Sequence, residues 1–112
     1  MLEGLASHIE RYMDLVSARQ KLVASNIANA DTPGYKTRDI DFQREFQSAM
    51  GNAPPAAIEV AGLKIKNDGN NVSVDRESRL LAENALRFNV ASELMRSEIQ
   101  TLREAIHEGS SS

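Results

Sequence analysis

Few residues of this 112-residue chain have the types and spacing that chemistry requires. The two histidines, His8 and His107, stand near opposite ends and would meet only if the chain folded back on itself. With Glu3 or Glu104 alongside, they would offer imidazole and carboxylate groups to a metal or a proton-transfer couple. Neither sits in a ligand spacing such as His-Glu-x-x-His, and solvated helix-end histidines account for both. Asp39 and Asp41 share one side of an extended segment, as a general acid/base pair might require of two carboxylates; solvated charges are the simpler account. Gly51 and Gly69 lack the strand and helix that flank a phosphate-binding loop. Lys36 and Arg38 flank Tyr35, but one ring makes no stacking platform for bases. No catalytic residue, metal ligand, cofactor or small-molecule substrate is expected.

The most informative stretch is Ser25-Asn26-Ile27-Ala28-Asn29-Ala30-Asp31-Thr32-Pro33-Gly34-Tyr35-Lys36, and its chemistry is conformational. Up to Ala30 the residues suit a helix, with Val23, Ile27 and Ala30 on one stripe. Pro33 lacks an amide donor and disfavours helical geometry in Thr32, while Gly34 accepts a positive φ at little cost. Pro followed by Gly at the centre of a four-residue turn predicts type II. Asn26 and Asn29 are candidates to hydrogen-bond the turn's backbone or a neighbouring subunit, and Tyr35 to pack on an adjacent helix.

Two long helices must position this turn. In residues 1–30, Leu2, Leu5, Ile9, Tyr12 and Val16 alternate in steps of three and four. The stripe then shifts to Val16, Gln20, Val23, Ile27 and Ala30, a drift that suits packing against several neighbours. In residues 75–108, Leu81, Ala85, Phe88, Ser92, Met95, Ile99, Leu102 and Ile106 keep a heptad spacing. Arg79, Glu83, Arg87, Glu93, Glu98 and Glu104 mark the opposite face. Asp75 is the expected N-cap, with Glu77 adding charge the helix dipole favours. Gly109 and the serine tail, 109–112, are expected to end the block.

The middle, residues 31–74, is irregular. Ile40, Phe42 and Phe46 anchor it, and Gly51-Asn52-Ala53-Pro54-Pro55 reads as a linker. Ile58-Glu59-Val60 and Leu63-Lys64-Ile65-Lys66 alternate like a short β-hairpin around Ala61-Gly62, and Asp68-Gly69-Asn70-Asn71 is a turn cluster. The expected fold is mainly α, a single domain over residues 1–112. Its terminal helices form an antiparallel, coiled-coil-like hairpin seamed by Ile9, Val16, Val23, Phe88, Met95 and Leu102. Outer leucines such as Leu15, Leu22, Leu80, Leu86 and Leu94 call for further neighbours.

Composition agrees with this architecture. Aromatics are only 4% of residues against 41% hydrophobic overall, which suits an aliphatic helix seam better than a thick globular core. A net charge of −3, with basic residues dispersed, argues against nucleic acid as partner. With no cysteine, disulfides and thiolate chemistry are excluded. Met1-Leu2-Glu3-Gly4 lacks a basic segment followed by an apolar run, so a cleaved secretory signal is not expected. No run approaches the ~18 apolar residues that span a bilayer.

The segment Leu22 to Lys36 resembles the N-terminal signature of the bacterial flagellar rod and hook axial proteins. A second stretch, Asp68-Gly69-Asn70-Asn71-Val72-Ser73-Val74-Asp75-Arg76-Glu77 followed by Leu81 to Phe88, is similar to the pattern that opens the C-terminal helix of a proximal rod member. Phe88 stands where tyrosine is more usual. The resemblance implies a structural subunit of the basal-body rod, part of the motor's drive shaft. It implies export by the flagellar type III apparatus without signal-peptide cleavage, and a place in the periplasm adjoining the inner membrane. The implied partners are further copies of the chain, the rod protein FlgC, the adaptor FliE, the MS ring and the export gate. The implied signature residues are Ser25, Asn26, Ala28, Asn29, Thr32, Pro33, Gly34, Tyr35 and Lys36. The assembly residues are Leu5, Ile9, Val16, Val23, Ile27, Leu81, Phe88, Met95, Ile99 and Leu102. The competing expectation from another class is a soluble helical adaptor or export chaperone holding a partner helix in its groove.

Overall fold

In a computed structural model, the protein is described over residues 2–48 and 54–111. Five elements follow in order: α1 (Leu2–Ala28), β1 (Arg38–Asp39), α2 (Phe42–Ser48), β2 (Ile58–Glu59) and α3 (Val74–Ser111). Gly51, Asn52 and Ala53 of the expected linker, and Ser112 of the tail, lie outside the described residues. The molecule is a rod of 71 × 25 × 17 Å.

Helix α1 contains no proline and a single glycine, Gly4, so nothing interrupts it before the Pro-Gly turn. It runs antiparallel to α3: Asn26 reaches Glu77 at one end, Gln20 Nε2 donates to the Leu81 carbonyl, and Leu5 shares a groove with Leu94 at the other. Ile9, Val16 and Val23 are buried on this seam. Leu15 is fully buried too, so it is no outer flank. It lies one turn from Arg11 and Arg19, which bond Glu45 and Asp39 of the middle segment. α1 therefore has two covered faces, one against α3 and one against residues 37–48.

That second cover is built locally. Asp41 Oδ1 accepts the Arg44 amide and caps α2. Phe42 and Phe46 then set their rings edge-on to Tyr12, with centroids 5.3 and 6.1 Å away. β1 and β2 pair antiparallel, Arg38 with Glu59 and Asp39 with Ile58. The strand partner of Ile58-Glu59 is thus not Leu63 to Lys66. The Lys66 amide instead bonds the Asn70 carbonyl at 2.8 Å, closing residues 66–70 on themselves.

α3 is capped two residues earlier than expected. Ser73 Oγ accepts the Arg76 amide and is the cap; Asp75 lies inside the helix, exposed, paired with Arg79 at 3.1 Å. At the other end the helix passes through Gly109 to Ser111 rather than stopping at 108.

The seam on α3 is rotated from the expected stripe. Its buried positions are Glu77, Asn84, Ala91 and Glu98, a strict seven-residue column, flanked by the half-buried Met95 and Leu102. Glu98 had been expected on the opposite face. Leu81, Phe88 and Ile99 are pushed to the rim and remain exposed, Phe88 at 38%. Leu86, Val90 and Leu94 emerge on the other flank. The reason is the polar end of the seam: bringing Glu77 to Asn26 sets the rotation of the whole helix. Apolar residues are thereby left on both shoulders of α3.

Truncating a buried leucine removes its transfer energy and leaves a cavity. Leu15→Ala should cost about 2–5 kcal/mol by urea unfolding. Leu86→Ala, at a position 65% exposed, should change stability by less than about 0.5 kcal/mol.

Candidate functional site

The Pro-Gly turn and the turn cluster of the second stretch meet at one end of the hairpin. Gly34 has φ 76°, and the Tyr35 amide bonds the Thr32 carbonyl, which together make the type II turn. Gly69, with φ 86°, faces it so closely that a Cβ added there would lie 3.4 Å from Gly34 Cα. The Gly34 amide donates to the Asp68 carbonyl at 2.9 Å, and the Asn71 amide to the Tyr35 carbonyl. Two glycine turns are thus held backbone to backbone.

Side-chain amides fasten this contact. Asn26 is fully buried near the end of α1. Its Nδ2 donates to the Arg38 carbonyl at 2.8 Å and to Glu77 Oε1 at 2.7 Å. Its Oδ1 accepts from the Arg38 amide and the Tyr35 hydroxyl, each at 3.1 Å. Both donors and both lone pairs are used. Asn70 Nδ2 donates to the carbonyls of Asn29 and Thr32, and its Oδ1 takes the Val72 amide. Asn71 Oδ1 accepts the Thr37 amide, and Lys36 Nζ donates to the Gly69 carbonyl. Asn29 stays local, bonding the Ser25 carbonyl and accepting from Thr32 Oγ1. Ser25 Oγ lies 3.3 Å from the Tyr35 hydroxyl. Ala28 is the last residue of α1; it, Pro33 and Gly34 are exposed.

A charge network continues from Glu77. Arg76 Nη1 bonds Glu77 Oε2, and Arg76 Nη2 bonds Asp39 Oδ2 at 2.9 Å. Arg19 closes the set with a two-pronged contact to Asp39, both distances 2.9 Å. Two cations and two anions balance. Burial alone would raise the Asp39 pKa, but hydrogen bonds from Arg19, the Ile40 amide and Arg76, with the Arg19 charge, bring it below its ordinary 3.8. Burial opposes the charge of Arg76 as well, and its bonds to Glu77 and Asp39 outweigh that, raising its pKa. Asp39 is therefore an ion-pair centre, unlike exposed Asp41, and the two form no acid/base couple. Sequence spacing hid this set, because Arg19, Asp39 and Arg76 stand 20 and 37 residues apart. Among the described residues no group of His, Cys, Asp and Glu is arranged to hold a metal ion.

Of the residues expected to serve assembly, Ile9, Val16 and Val23 are buried in the seam, and Ile27, Met95 and Leu102 are half-buried. Leu5, Leu81, Phe88 and Ile99 remain open to solvent. These apolar side chains are spread along the shaft, and the hydrogen-bonded junction sits at its end.

A family profile described as flagella basal body rod protein matches residues 13–36, the second half of α1 through the turn. The chain is 30% identical to the flagellar basal body rod protein FlgB of Escherichia coli K12, covering 87% of this chain and 88% of that protein. The chain belongs to the FlgB family of flagellar basal body rod proteins. Similarity also reaches the FlgB proteins of Yersinia enterocolitica, at 28% over 96% and 97% of the two chains, and of Borrelia hermsii, at 30% over 71% and 78%. The protein is a structural component of the flagellar basal body rod. No helix of the described residues is long and apolar enough to cross a membrane.

Removing the Asn26 side chain orphans a buried carboxylate oxygen and both backbone groups of Arg38. Asn26→Ala should cost about 3 kcal/mol or more in chemical unfolding. Asn26→Asp should give no rescue, since it lacks donors and places a second carboxylate beside Glu77. For Asp39, a folded pKa below the unfolded value means the ion pair stabilises above about pH 4 and the contribution is lost as pH falls through the lower folded value. Asp39→Asn should therefore lower the melting temperature at pH 7 and flatten the acid-side loss below pH 4, read by thermal scans across pH.

Proposed function

We propose that the hairpin is the assembling unit of the rod, with the junction setting its shape and the open shoulders of α3 making the contacts between subunits. The observation that carries this is the amount of apolar side chain left uncovered. Leu81, Leu86, Phe88, Val90, Leu94, Ile99 and Ile106 are all exposed on one helix, Ile106 at 71%. Each fully buried side chain of this kind contributes roughly 1.5–3 kcal/mol, so covering several across subunits offsets the cost of ordering them. A chaperone groove would leave one such face; here both shoulders are open.

The neighbours that fit this reading are further copies of the chain, FlgC further along the rod, and FliE, the MS ring and the export gate at its base. Delivery through the flagellar type III apparatus without signal-peptide cleavage belongs to the same reading, as does a place in the periplasm next to the inner membrane. Before assembly, the exposed Ile99 and Ile106 leave the last turns of α3 to fray, since a helix that packs little is marginal in water. The junction stays folded.

Basal bodies purified from cells making the chain test this directly: the protein should be found in the rod, and its absence there would overturn the proposal. Gly34→Val sharpens the test. A Cβ at Gly34 meets nothing within 4 Å, so the strain comes from φ alone, on the order of 1–3 kcal/mol. The variant should be secreted at close to normal levels yet enter few rods. Equal loss of secretion and assembly would separate the turn from assembly. Amide exchange of the free subunit should show fast exchange over residues 99–109 and protection around Val23 and Val72.

A further inference from the structure

The helix seam carries a polar notch that the junction does not use. Gln20 interrupts the apolar stripe of α1, and Asn84 stands one heptad after Glu77 in the buried column of α3. Both border one concavity of about 350 Å³, together with Val16, Phe88 and the exposed Ser17 and Asn89. Gln20 is anchored, because its Nε2 donates to the Leu81 carbonyl at 3.2 Å. A carbonyl only accepts, so this bond also fixes which end of the Gln20 amide is the oxygen. That oxygen, Oε1, is buried and bonds no protein group among the described residues. Asn84 is 1% exposed, and its Nδ2 and Oδ1 are in the same condition.

Left bare, each of these three atoms would forfeit the hydrogen bonds it makes in water. Together that loss would rival a large part of the margin by which a domain of this size is stable. The groups lining the notch are all neutral, so neither a cation nor an anion finds a charge partner among them. Water donates twice and accepts twice, and its share of liquid volume is roughly 30 Å³, so the notch has room for it.

We propose that the notch is a water site: one ordered water accepts from Asn84 Nδ2 and donates to Gln20 Oε1, and a second donates to Asn84 Oδ1. The first water joins α3 to α1. The polar column of α3 then descends in steps, with Glu77 bonded directly to Asn26, Asn84 bonded through water, and Ala91 apolar. Such a bridge discriminates between registers. Slipping α3 by one heptad, about 10 Å, past the junction brings Ala91 opposite Gln20, where it offers neither donor nor acceptor. Slipping it the other way sets the Glu77 carboxylate against Gln20 Oε1, acceptor facing acceptor. Asn84 is thus a positioning residue that acts through water, and the site is complete within a single hairpin.

Water-selective NOE and ROE spectra of the full chain in dilute solution test this. The side-chain amide hydrogens of Asn84 and Gln20 should show cross-peaks to water with NOE and ROE of opposite sign, the mark of water that stays as long as the protein tumbles. Like signs, or no cross-peak at Asn84, would overturn the site. Gln20→Met keeps the length of the side chain and removes the acceptor, so the water signal at Asn84 should fall; an unchanged signal would overturn the bridge. Asn84→Leu fills the notch and should remove the signal at Gln20. The unsubstituted chain decides the matter by itself should a variant fail to fold. A crystal structure of the protein should place water within hydrogen-bond distance of both Asn84 Nδ2 and Gln20 Oε1. A dry notch, a direct bond between the two side chains, or water touching only one of them would overturn the proposal.

Discussion

The architecture depends on one buried amide. Asn26 sits in the last turns of α1 with no access to water, and its four hydrogen bonds tie together three parts of the fold. Its contacts to the Arg38 backbone treat the side chain as a strand neighbour and hold β1 against the helix. Its bond to Glu77 sets the rotation of α3, and its bond to Tyr35 holds the turn. An apolar residue of similar size would pack there, but would specify none of these relations and would leave the buried Oε1 of Glu77 without its donor. What a long two-helix hairpin lacks is a reason to adopt one register and one rotation; a smooth aliphatic seam permits several.

The surrounding charges serve the same end. Arg19, Asp39, Arg76 and Glu77 are at least partly withdrawn from water, and their attraction largely offsets the desolvation they suffer. Their net contribution to stability is therefore modest, while the cost of separating them is high. A misregistered hairpin would strand two cations and two anions. Asn84 extends this logic into the shaft. It is buried at the seam with neither amide atom bonded to protein among the described residues. A polar residue at one seam position weakens packing but penalises alternative alignments.

The sequence made the architecture legible wherever signals were local. The two helices follow from apolar spacing, and the turn from Pro33-Gly34, whose φ requirement can be read without knowing what surrounds it. The cap of α3 was misplaced by two residues because Ser73 and Asp75 are both good caps, and only the path of the entering chain decides between them. The strand partner of Ile58 was missed for a related reason. Alternation at Leu63 to Lys66 is a property of that segment alone, whereas pairing with Arg38-Asp39 depends on where Asn26 holds them. Asn26, Asn29, Asn70 and Asn71 were visible as members of two motifs; that the motifs bind each other was not. The least legible feature was the side of α3 that would be buried. Hydrophobicity alone favours Leu81, Phe88 and Ile99, yet Glu77, Asn84 and Glu98 occupy the centre.

That inversion explains how a short chain can be both a folded unit and an incomplete one. If the most apolar column of α3 faced α1, the hairpin would satisfy itself and have little reason to associate. Turning the polar column inward holds the fold by specific bonds at the junction and by Ile9, Leu15, Val16 and Val23, all contributed by α1. The strongest apolar groups of α3 are kept outward, on its two shoulders. For a subunit that folds before it assembles, as proposed, this division is useful. Its internal geometry is fixed by directional, short-range polar contacts that a passing partner cannot easily satisfy. Its external contacts are left to non-directional burial, which gains only when another chain is present.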